Sequence, residues 1–289
     1  MGIWAPHLHR MPERADMISS SWRAFGRIIV ATPYTAIFLP LQTAVLALDL
    51  QFARWLPQFF HRQWCRIFGV DVRVRGQVSD QRPTLYVANH VSYLDIVVLS
   101  SILDASFIAK AEIAHWPVLG LLARLQRTLF VERRRPRAAN QRDAIAERLK
   151  VGNSLVLFPE GASNDGQRVL PFKSALFSVA ERHQSDKPLT IQPISLAYTQ
   201  LDGIPMGRAL RSHYAWFGDM TLVPHLFEML GIGTVTVEVT FHEPVSGDGF
   251  ATRKSLAEFC HVVVRRGLDQ ALSGRQPSPE ASAPAIANS

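Results

Sequence analysis

A histidine and an aspartate five residues apart carry the clearest chemical signal of the sequence. His90 follows the short apolar run 84–88, which predicts a buried strand, and Asp95 lies in the first turn of a helix predicted over residues 93–103. An aspartate at this spacing can fold back onto one imidazole nitrogen and fix the tautomer of the ring. The other nitrogen can then take a proton from an alcohol that attacks a carbonyl. A His–Asp pair without a paired nucleophile suits direct transfer to a substrate hydroxyl.

The same residues also fit a purely structural interpretation. Ser92 stands three positions before Asp95, as the two ends of a capping box do, with Ser92 as the N-cap and Asp95 accepting a backbone N–H. The motif alone does not separate a helix cap from a catalytic pair.

A second motif favours the catalytic interpretation. The apolar run 154–158 predicts a buried strand that ends at Pro159, and Glu160 and Gly161 follow where the next loop opens. Proline ends the strand ladder, and glycine lets the backbone approach a ligand closely. By itself this could be an ordinary turn between a strand and a helix.

Together the two motifs resemble those of the glycerolipid acyltransferase family typified by 1-acylglycerol-3-phosphate acyltransferase. The family's first block, Asn-His-x-Ser-x-x-Asp, is present as Asn89, His90, Ser92 and Asp95, and its Phe-Pro-Glu-Gly block occupies residues 158–161. The resemblance implies that His90 is the general base, that Asp95 orients it, and that Glu160 and Gly161 help to hold the lysolipid acceptor. Asn89 and Ser92 are expected at the same substrate pocket.

A further family block corresponds to residues 127–133. Phe130 and Arg133 match it, whereas Arg127 replaces the usual Gly and Glu132 the usual Asp. The resemblance makes Arg133 the contact for an acceptor phosphate, because a guanidinium group binds phosphate in a bidentate manner. Lys110 matches a basic position near the head group.

The resemblance implies a reaction in which an acyl group passes from acyl-CoA or acyl carrier protein to the free hydroxyl of 1-acylglycerol-3-phosphate. No metal or redox cofactor is expected. Lyso-ornithine lipid is an alternative acceptor, because similar bacterial enzymes use it. Two other hypotheses are a non-catalytic protein that binds lipid at the membrane surface and a lysolipid hydrolase that uses water.

The elements that must position these residues alternate between short apolar runs and helical patterns. Strands are predicted over residues 84–88, 106–109, 128–131, 154–158, 189–198 and 234–241, with helices over 93–103, 116–126, 142–150, 174–183, 220–230 and 252–272. This alternation predicts an α/β fold with a mixed, largely parallel sheet and helices on both faces. Functional residues of such sheets collect at the carboxyl ends of strands.

The N-terminal region differs in composition from the rest of the chain. Residues 28–48 carry no charge and are long enough to cross ~30 Å of hydrocarbon as a helix, although Pro33 and Pro40 also fit a kinked or shallow insertion. Arginines flank the stretch on both sides, so their distribution does not orient a single span. We therefore predict a membrane-associating helical region over residues 1–69, an acyltransferase domain over 70–272 and a disordered tail over 273–289.

Composition narrows the class of partner. The 289 residues carry a formal net charge of +7, and 47% of them are hydrophobic. Such a basic, apolar chain suits an anionic membrane or a phosphorylated substrate, and no motif of a nucleic-acid-binding module accompanies the charge. Two distant cysteines argue against a zinc module or a disulfide framework. With no secretory signal in residues 1–21, we expect a domain that faces the cytoplasm at the inner membrane.

Overall fold

A computed structural model describes residues 18–50, 55–131, 138–181 and 188–274 of the protein. Within these residues the main helices are α1 (Ser21–Ala47), α2 (Leu56–Phe68), α3 (Leu94–Ile102), α4 (Leu119–Leu125), α5 (Ala138–Lys150), α6 (Ser178–Glu181), α7 (Arg208–Arg211), α8 (Leu222–Gly231) and α9 (Arg253–Ser273). The strands are β1 (Val70–Arg75), β2 (Thr84–Ala88), β3 (Ser106–Lys110), β4 (Leu129–Val131), β5 (Leu155–Leu157), β6 (Thr190–Leu201), β7 (Ile204–Pro205), β8 (Val235–Phe241) and β9 (Val245–Ser246).

The strands form one mixed sheet. Its order is β1-β8-β6-β2-β5-β3-β4, and the short strands β7 and β9 pair with β6. Strands β6, β2, β5, β3 and β4 are parallel to one another, whereas β8 runs antiparallel to β6. The carboxyl ends of these five parallel strands therefore meet at one edge of the sheet, where a ligand site is expected.

Helices cover both faces of the sheet because alternate strand residues point to opposite sides. In β2, Tyr86 and Ala88 join a core with residues of α2, α3 and α8. Leu85 and Val87 join a second core with residues of α5 and α9. The predicted fold class, a mixed and largely parallel sheet with helices on both faces, is confirmed.

The predicted elements differ from the observed ones mainly at their ends. Strand β2 spans the predicted 84–88, and the other five predicted strands are present within a few residues. The helix predicted over 174–183 begins as a 3₁₀ turn, Ser174–Phe177, before α6, and residues 182–183 lie outside the described residues. Strand β1, at the edge of the sheet, was not predicted.

Helix α1 is tied to the domain along its length while its outer side stays apolar and exposed. The Arg27 guanidinium donates to the carbonyl oxygens of Leu230 and Ile232 at 2.9 and 2.8 Å. Phe38 stacks on Phe60 of α2 with ring centroids 4.2 Å apart. Near the end of the helix, Gln42 donates to the carbonyl oxygen of Leu125 at 3.1 Å.

The opposite side of α1 exposes large apolar side chains, among them Trp22, Phe25, Ile29, Ile37 and Leu41. Among the described residues, α1 is the one helix long and apolar enough to cross a membrane. The division of the chain into 1–69, 70–272 and 273–289 stays a prediction, and residues 275–289 lie outside the described part of the chain.

Candidate active site

The His90–Asp95 pair forms where β2 ends. The Nδ1 atom of His90 lies 2.8 Å from Oδ2 of Asp95, whose side chain is fully buried. The same oxygen accepts the backbone N–H groups of Val91 and Ser92 at 2.6 and 2.9 Å. One carboxylate therefore orders the turn before α3 and also holds the imidazole. Asp95 accepts the N–H of Ser92 as the capping box predicts, but the N-cap of α3 is Tyr93 and not Ser92. The catalytic role of the pair stays a prediction.

The ring of His90 is fixed on its edge and on one face. An ionised carboxylate accepts a hydrogen bond from Nδ1–H, and a neutral ring then carries its free lone pair on Nε2. Within the described residues Nε2 has no hydrogen-bond partner, and the side chain is 21% exposed. Phe158 stacks on the ring with centroids 4.2 Å apart and planes 17° apart. This arrangement can accept a proton from a group that approaches from the open side.

Glu160 joins the two motifs. Its Oε1 accepts the backbone N–H of His90 at 2.8 Å, although the residues are 70 positions apart in the chain. Its Oε2 accepts the side-chain amide of Asn164 at 2.6 Å and the backbone N–H of Leu170 at 2.9 Å. Burial raises the pKa of Glu160 to about 7, against the lowering effect of these three donors. Glu160 thus fixes the position of the His90 backbone through this hydrogen bond.

Gly161 adopts a conformation that other residues rarely do. Its φ is +72°, and a Cβ atom there would lie 2.7 Å from Nζ of Lys173. Glycine therefore lets the chain turn sharply after Glu160. Its predicted contact with an acceptor stays a prediction.

Asn89 and Ser92 are buried beneath the pair. The side-chain amide of Asn89 donates to the carbonyl oxygen of Leu196 at 2.9 Å and accepts the N–H of Leu196 at 2.8 Å. Ser92 Oγ accepts the backbone N–H of Leu94 at 3.3 Å. The described contacts of both side chains support the loop, and their contact with a substrate stays a prediction.

Lys110 and Phe130 belong to the same edge of the sheet. Lys110 is the last residue of β3, and the preceding Ala109 pairs with Phe130 of β4. Strand β3 lies beside β5, whose end carries the Glu160 loop. Arg133 lies outside the described residues.

Sequence reasoning missed Tyr198. This residue of β6 is almost fully buried, and its hydroxyl donates to Oδ1 of Asp95 at 2.6 Å. The signal in the sequence is weak, because a buried tyrosine hydroxyl needs an acceptor but nothing in the spacing shows which one.

Other histidine contacts lie elsewhere in the molecule. His213 Nδ1 is 2.9 Å from Oε1 of Glu228. Ser195 Oγ is 2.7 Å from Nε2 of His242, but it donates its proton to the carbonyl oxygen of Val264 at 2.8 Å. Burial lowers the pKa of His242 to about 4. This serine is therefore not arranged as an activated nucleophile. Among the described residues, no group of three His, Cys, Asp or Glu side chains could hold a metal ion.

Comparison with known proteins agrees with this geometry. Residues 70–197 match the family model described as Acyltransferase. Lyso-ornithine lipid O-acyltransferase of Brucella abortus is 46% identical over 90% of this chain and 98% of its own length, and that of Rhizobium meliloti is 43% identical over 87% of each chain. A 1-acyl-sn-glycerol-3-phosphate acyltransferase of Neisseria gonorrhoeae is 32% identical over 68% of this chain and 76% of its own.

The fold is also similar to a solved structure. The crystal structure of the 1-acyl-sn-glycerophosphate (LPA) acyltransferase PlsC from Thermotoga maritima aligns with a TM-score of 0.56, at 22% identity, over 87% of this chain and all of that one. The family model and the relatives of 43% and 46% identity show that the chain is an enzyme rather than a protein that only binds lipid. It belongs to the acyltransferase family of glycerolipid enzymes.

Proposed function

We propose that the protein transfers a fatty acyl group from an acyl thioester to the free hydroxyl of lyso-ornithine lipid. Relatives named for that activity are 43% and 46% identical and cover most of the chain. Two relatives named for 1-acyl-sn-glycerol-3-phosphate are 32% identical over about two thirds of it. The ornithine acceptor is therefore favoured over the glycerol phosphate acceptor that the motifs alone suggested.

One geometric observation carries the mechanism: Nδ1 of His90 lies 2.8 Å from the fully buried Asp95, while the imidazole side chain stays partly exposed. Nε2 takes the proton of the acceptor hydroxyl as the oxygen attacks the thioester carbonyl. The tetrahedral intermediate then collapses, the C–S bond breaks, and the departing sulfur takes the proton from the imidazolium. Asp95 stabilises the imidazolium between these steps.

The neighbouring residues divide into support and substrate contacts. Asn89, Ser92 and Glu160 hold the loop beneath the imidazole through the hydrogen bonds described above. Gly161, Lys110 and Phe130 contact the acceptor from the loop after β5 and from β3 and β4. Arg133, which lies outside the described residues, is a further acceptor contact in this proposal. Acyl-CoA or acyl carrier protein supplies the acyl group, and because no oxidation state changes, the reaction needs no redox cofactor.

The protein works at the cytoplasmic face of the inner membrane. The apolar outer side of α1 enters the lipid, while Arg27, Phe38 and Gln42 keep its inner side on the domain. Basic side chains next to the helix, such as Arg62 and Arg66, suit anionic head groups. A lysolipid acceptor can then reach the site from the membrane.

The test is a competition between acceptors. Full-length protein in detergent receives one acyl-CoA or acyl carrier protein donor with lyso-ornithine lipid, lysophosphatidic acid or no acceptor, and mass spectrometry identifies the products. We expect preference for lyso-ornithine lipid, and a ~10³-fold loss of transfer in His90→Ala. Faster acylation of lysophosphatidic acid would refute lyso-ornithine lipid as the preferred acceptor. An active, folded His90→Ala protein would refute the mechanism.

Lysophosphatidic acid is the second candidate, because Phe130 and Arg133 match the family block that meets a phosphate. Arg133→Ala separates the two acceptors. The variant should lose little transfer activity with an acceptor that lacks phosphate and much of it with an acceptor that carries phosphate. Release of free fatty acid without an acceptor would instead identify a hydrolase.

A further inference from the structure

Asp95 is held through both of its carboxylate oxygens. Oδ2 receives Nδ1 of His90 and two backbone N–H groups. Oδ1 has one partner among the described residues, the hydroxyl of Tyr198 at 2.6 Å. Because the side chain of Asp95 is fully buried, no solvent takes the place of that donor. The orientation of the carboxylate therefore depends on a residue 103 positions away in the chain.

Tyr198 is itself fixed from several sides. Its carbonyl oxygen accepts Nε of the buried Arg211 at 3.0 Å, and a second guanidinium nitrogen donates to the carbonyl oxygen of Met206 at 2.8 Å. Its ring stacks on that of Tyr214 with centroids 5.9 Å apart. The pairing of β6 with β8 shifts register between Tyr198 and Gln200, and such a bulge re-aims the neighbouring side chains.

We propose that Tyr198 is a positioning residue for the acyl transfer, whose hydroxyl locks the Asp95 carboxylate in the orientation that holds His90. The inference rests on the proposed function, since it requires His90 to be the base. Without the hydroxyl, Oδ1 is buried with no donor, and the carboxylate gains freedom to turn about its Cβ–Cγ bond. The imidazole then loses its fixed partner, and fewer encounters with the acceptor are productive.

Tyr214 supplies a matched control. It is the stacked neighbour of Tyr198 and is equally buried, but its hydroxyl has no hydrogen-bond partner in the described part of the chain. Changing either tyrosine to phenylalanine removes one buried oxygen from the same aromatic stack. A difference between the two variants therefore reports the hydrogen bond to Asp95 and not the packing.

The experiment compares Tyr198→Phe and Tyr214→Phe in the full-length protein. In Tyr198→Phe we expect kcat to fall ~10-fold while KM for both substrates stays within ~2-fold, because the hydroxyl acts on the base and not on binding. In Tyr214→Phe both constants should stay within ~2-fold of the wild type. Equal losses in the two variants, or an unchanged kcat in Tyr198→Phe, would overturn the proposal.

A double-mutant cycle separates positioning from general damage. In an Asp95→Ala background the hydroxyl has no carboxylate to orient, so Tyr198→Phe should have no further effect on kcat. A structural defect would lower kcat by the same factor in both backgrounds, which would also overturn the proposal. An active His90→Ala protein would refute the proposed mechanism itself, whereas an inactive His90→Ala protein beside a fully active Tyr198→Phe protein would refute only this inference.

A second variant covers the case in which Tyr198→Phe fails to fold. 3-Fluorotyrosine at position 198 keeps the ring and the hydroxyl but makes the hydroxyl a stronger donor, which withdraws charge from Asp95. The imidazolium is then less well stabilised, and kcat should fall ~3-fold. The same replacement at position 214 is the control, and an equal kcat at both positions would contradict the role of Tyr198.

Discussion

Two histidine–carboxylate pairs among the described residues have nearly the same length but opposite burial. His90 and Asp95 are 2.8 Å apart, with side chains 21% and 0% exposed. His213 and Glu228 are 2.9 Å apart, and here the histidine is 4% exposed and the glutamate 21%. In the first pair the base is partly exposed and the acid is buried, and in the second the acid is partly exposed and the base is buried.

The difference shows that the distance between the partners does not identify a catalytic pair. A buried carboxylate with several donors keeps its charge directed at the imidazole, whereas a carboxylate in contact with water is screened. A base must also reach the proton that it removes, and the exposed edge of His90 allows this. The burial of His213 suits a role in tying the loop after α7 to α8.

The largest difference in kcat between the two pairs is expected when the acid of each pair is replaced by its amide. Asp95→Asn should lower kcat ~10²- to 10⁴-fold, because a neutral amide stabilises the imidazolium less than a carboxylate does. Glu228→Gln makes the same change in the other pair and should leave kcat within ~2-fold. Steady-state kinetics of the two purified variants measure both effects. Losses of similar size would show that burial does not distinguish the pairs.

An intermediate effect is expected from Glu160, which supports only the His90 pair. In Glu160→Gln the new NH₂ group meets an N–H donor whichever way the amide turns, that of His90 or those of Asn164 and Leu170. At least one hydrogen bond of this support is therefore lost. We expect kcat to fall ~10-fold, with the fold retained. Thermal unfolding checks the fold, and a kcat equal to that of the wild type would show that the support is dispensable.

The same residue should make stability depend on pH. The pKa of Glu160 is raised to about 7 in the folded chain from an ordinary 4.5. Between these values the folded chain holds a proton that the unfolded chain has lost, so stability declines as pH rises through the window, by up to ~3 kcal/mol. Urea unfolding at pH 5 and pH 7.5 should show this decline in the wild type but not in Glu160→Gln. If the free energy of unfolding changed by the same amount in both proteins between the two pH values, the raised pKa of Glu160 would be contradicted.

The smallest effect is expected on the stability of the second pair. Since the Glu228 carboxylate is partly in contact with water, Glu228→Gln should lower the free energy of unfolding by no more than ~1 kcal/mol. Chemical denaturation of the wild type and the variant at neutral pH measures the difference. A loss several times larger would indicate that this pair is a main support of the fold.

The sequence predicted the fold well where apolar runs are continuous. Strand β2, buried on both faces, has the predicted bounds. Strand β1 was missed because the prediction rested on continuous apolar runs, whereas in β1 the valines alternate with Asp71, Arg73 and Arg75. Such alternation is typical of a strand with one apolar face. Helix and strand ends shifted by a few residues, since caps and neighbouring packing set them.

The site was predictable only in part. The spacing of His90 and Asp95 reflects a contact within one turn of chain, which a sequence can reveal. The contact of Tyr198 with Asp95 depends on the sheet order and on a shift of register in β6. The bond of Glu160 to the His90 amide involves a backbone donor, which no residue pattern records.

The hydrogen bonds of Asn89 allow the motion of the turn that carries His90 to be measured. Its side chain pairs with both backbone groups of Leu196, so the ladder between β2 and β6 continues for one step after β2 itself has ended. The Leu196 amide hydrogen can exchange with deuterated solvent only when the Asn89 side chain swings away. Its exchange rate therefore measures how often the turn under the imidazole opens, without any turnover of substrate.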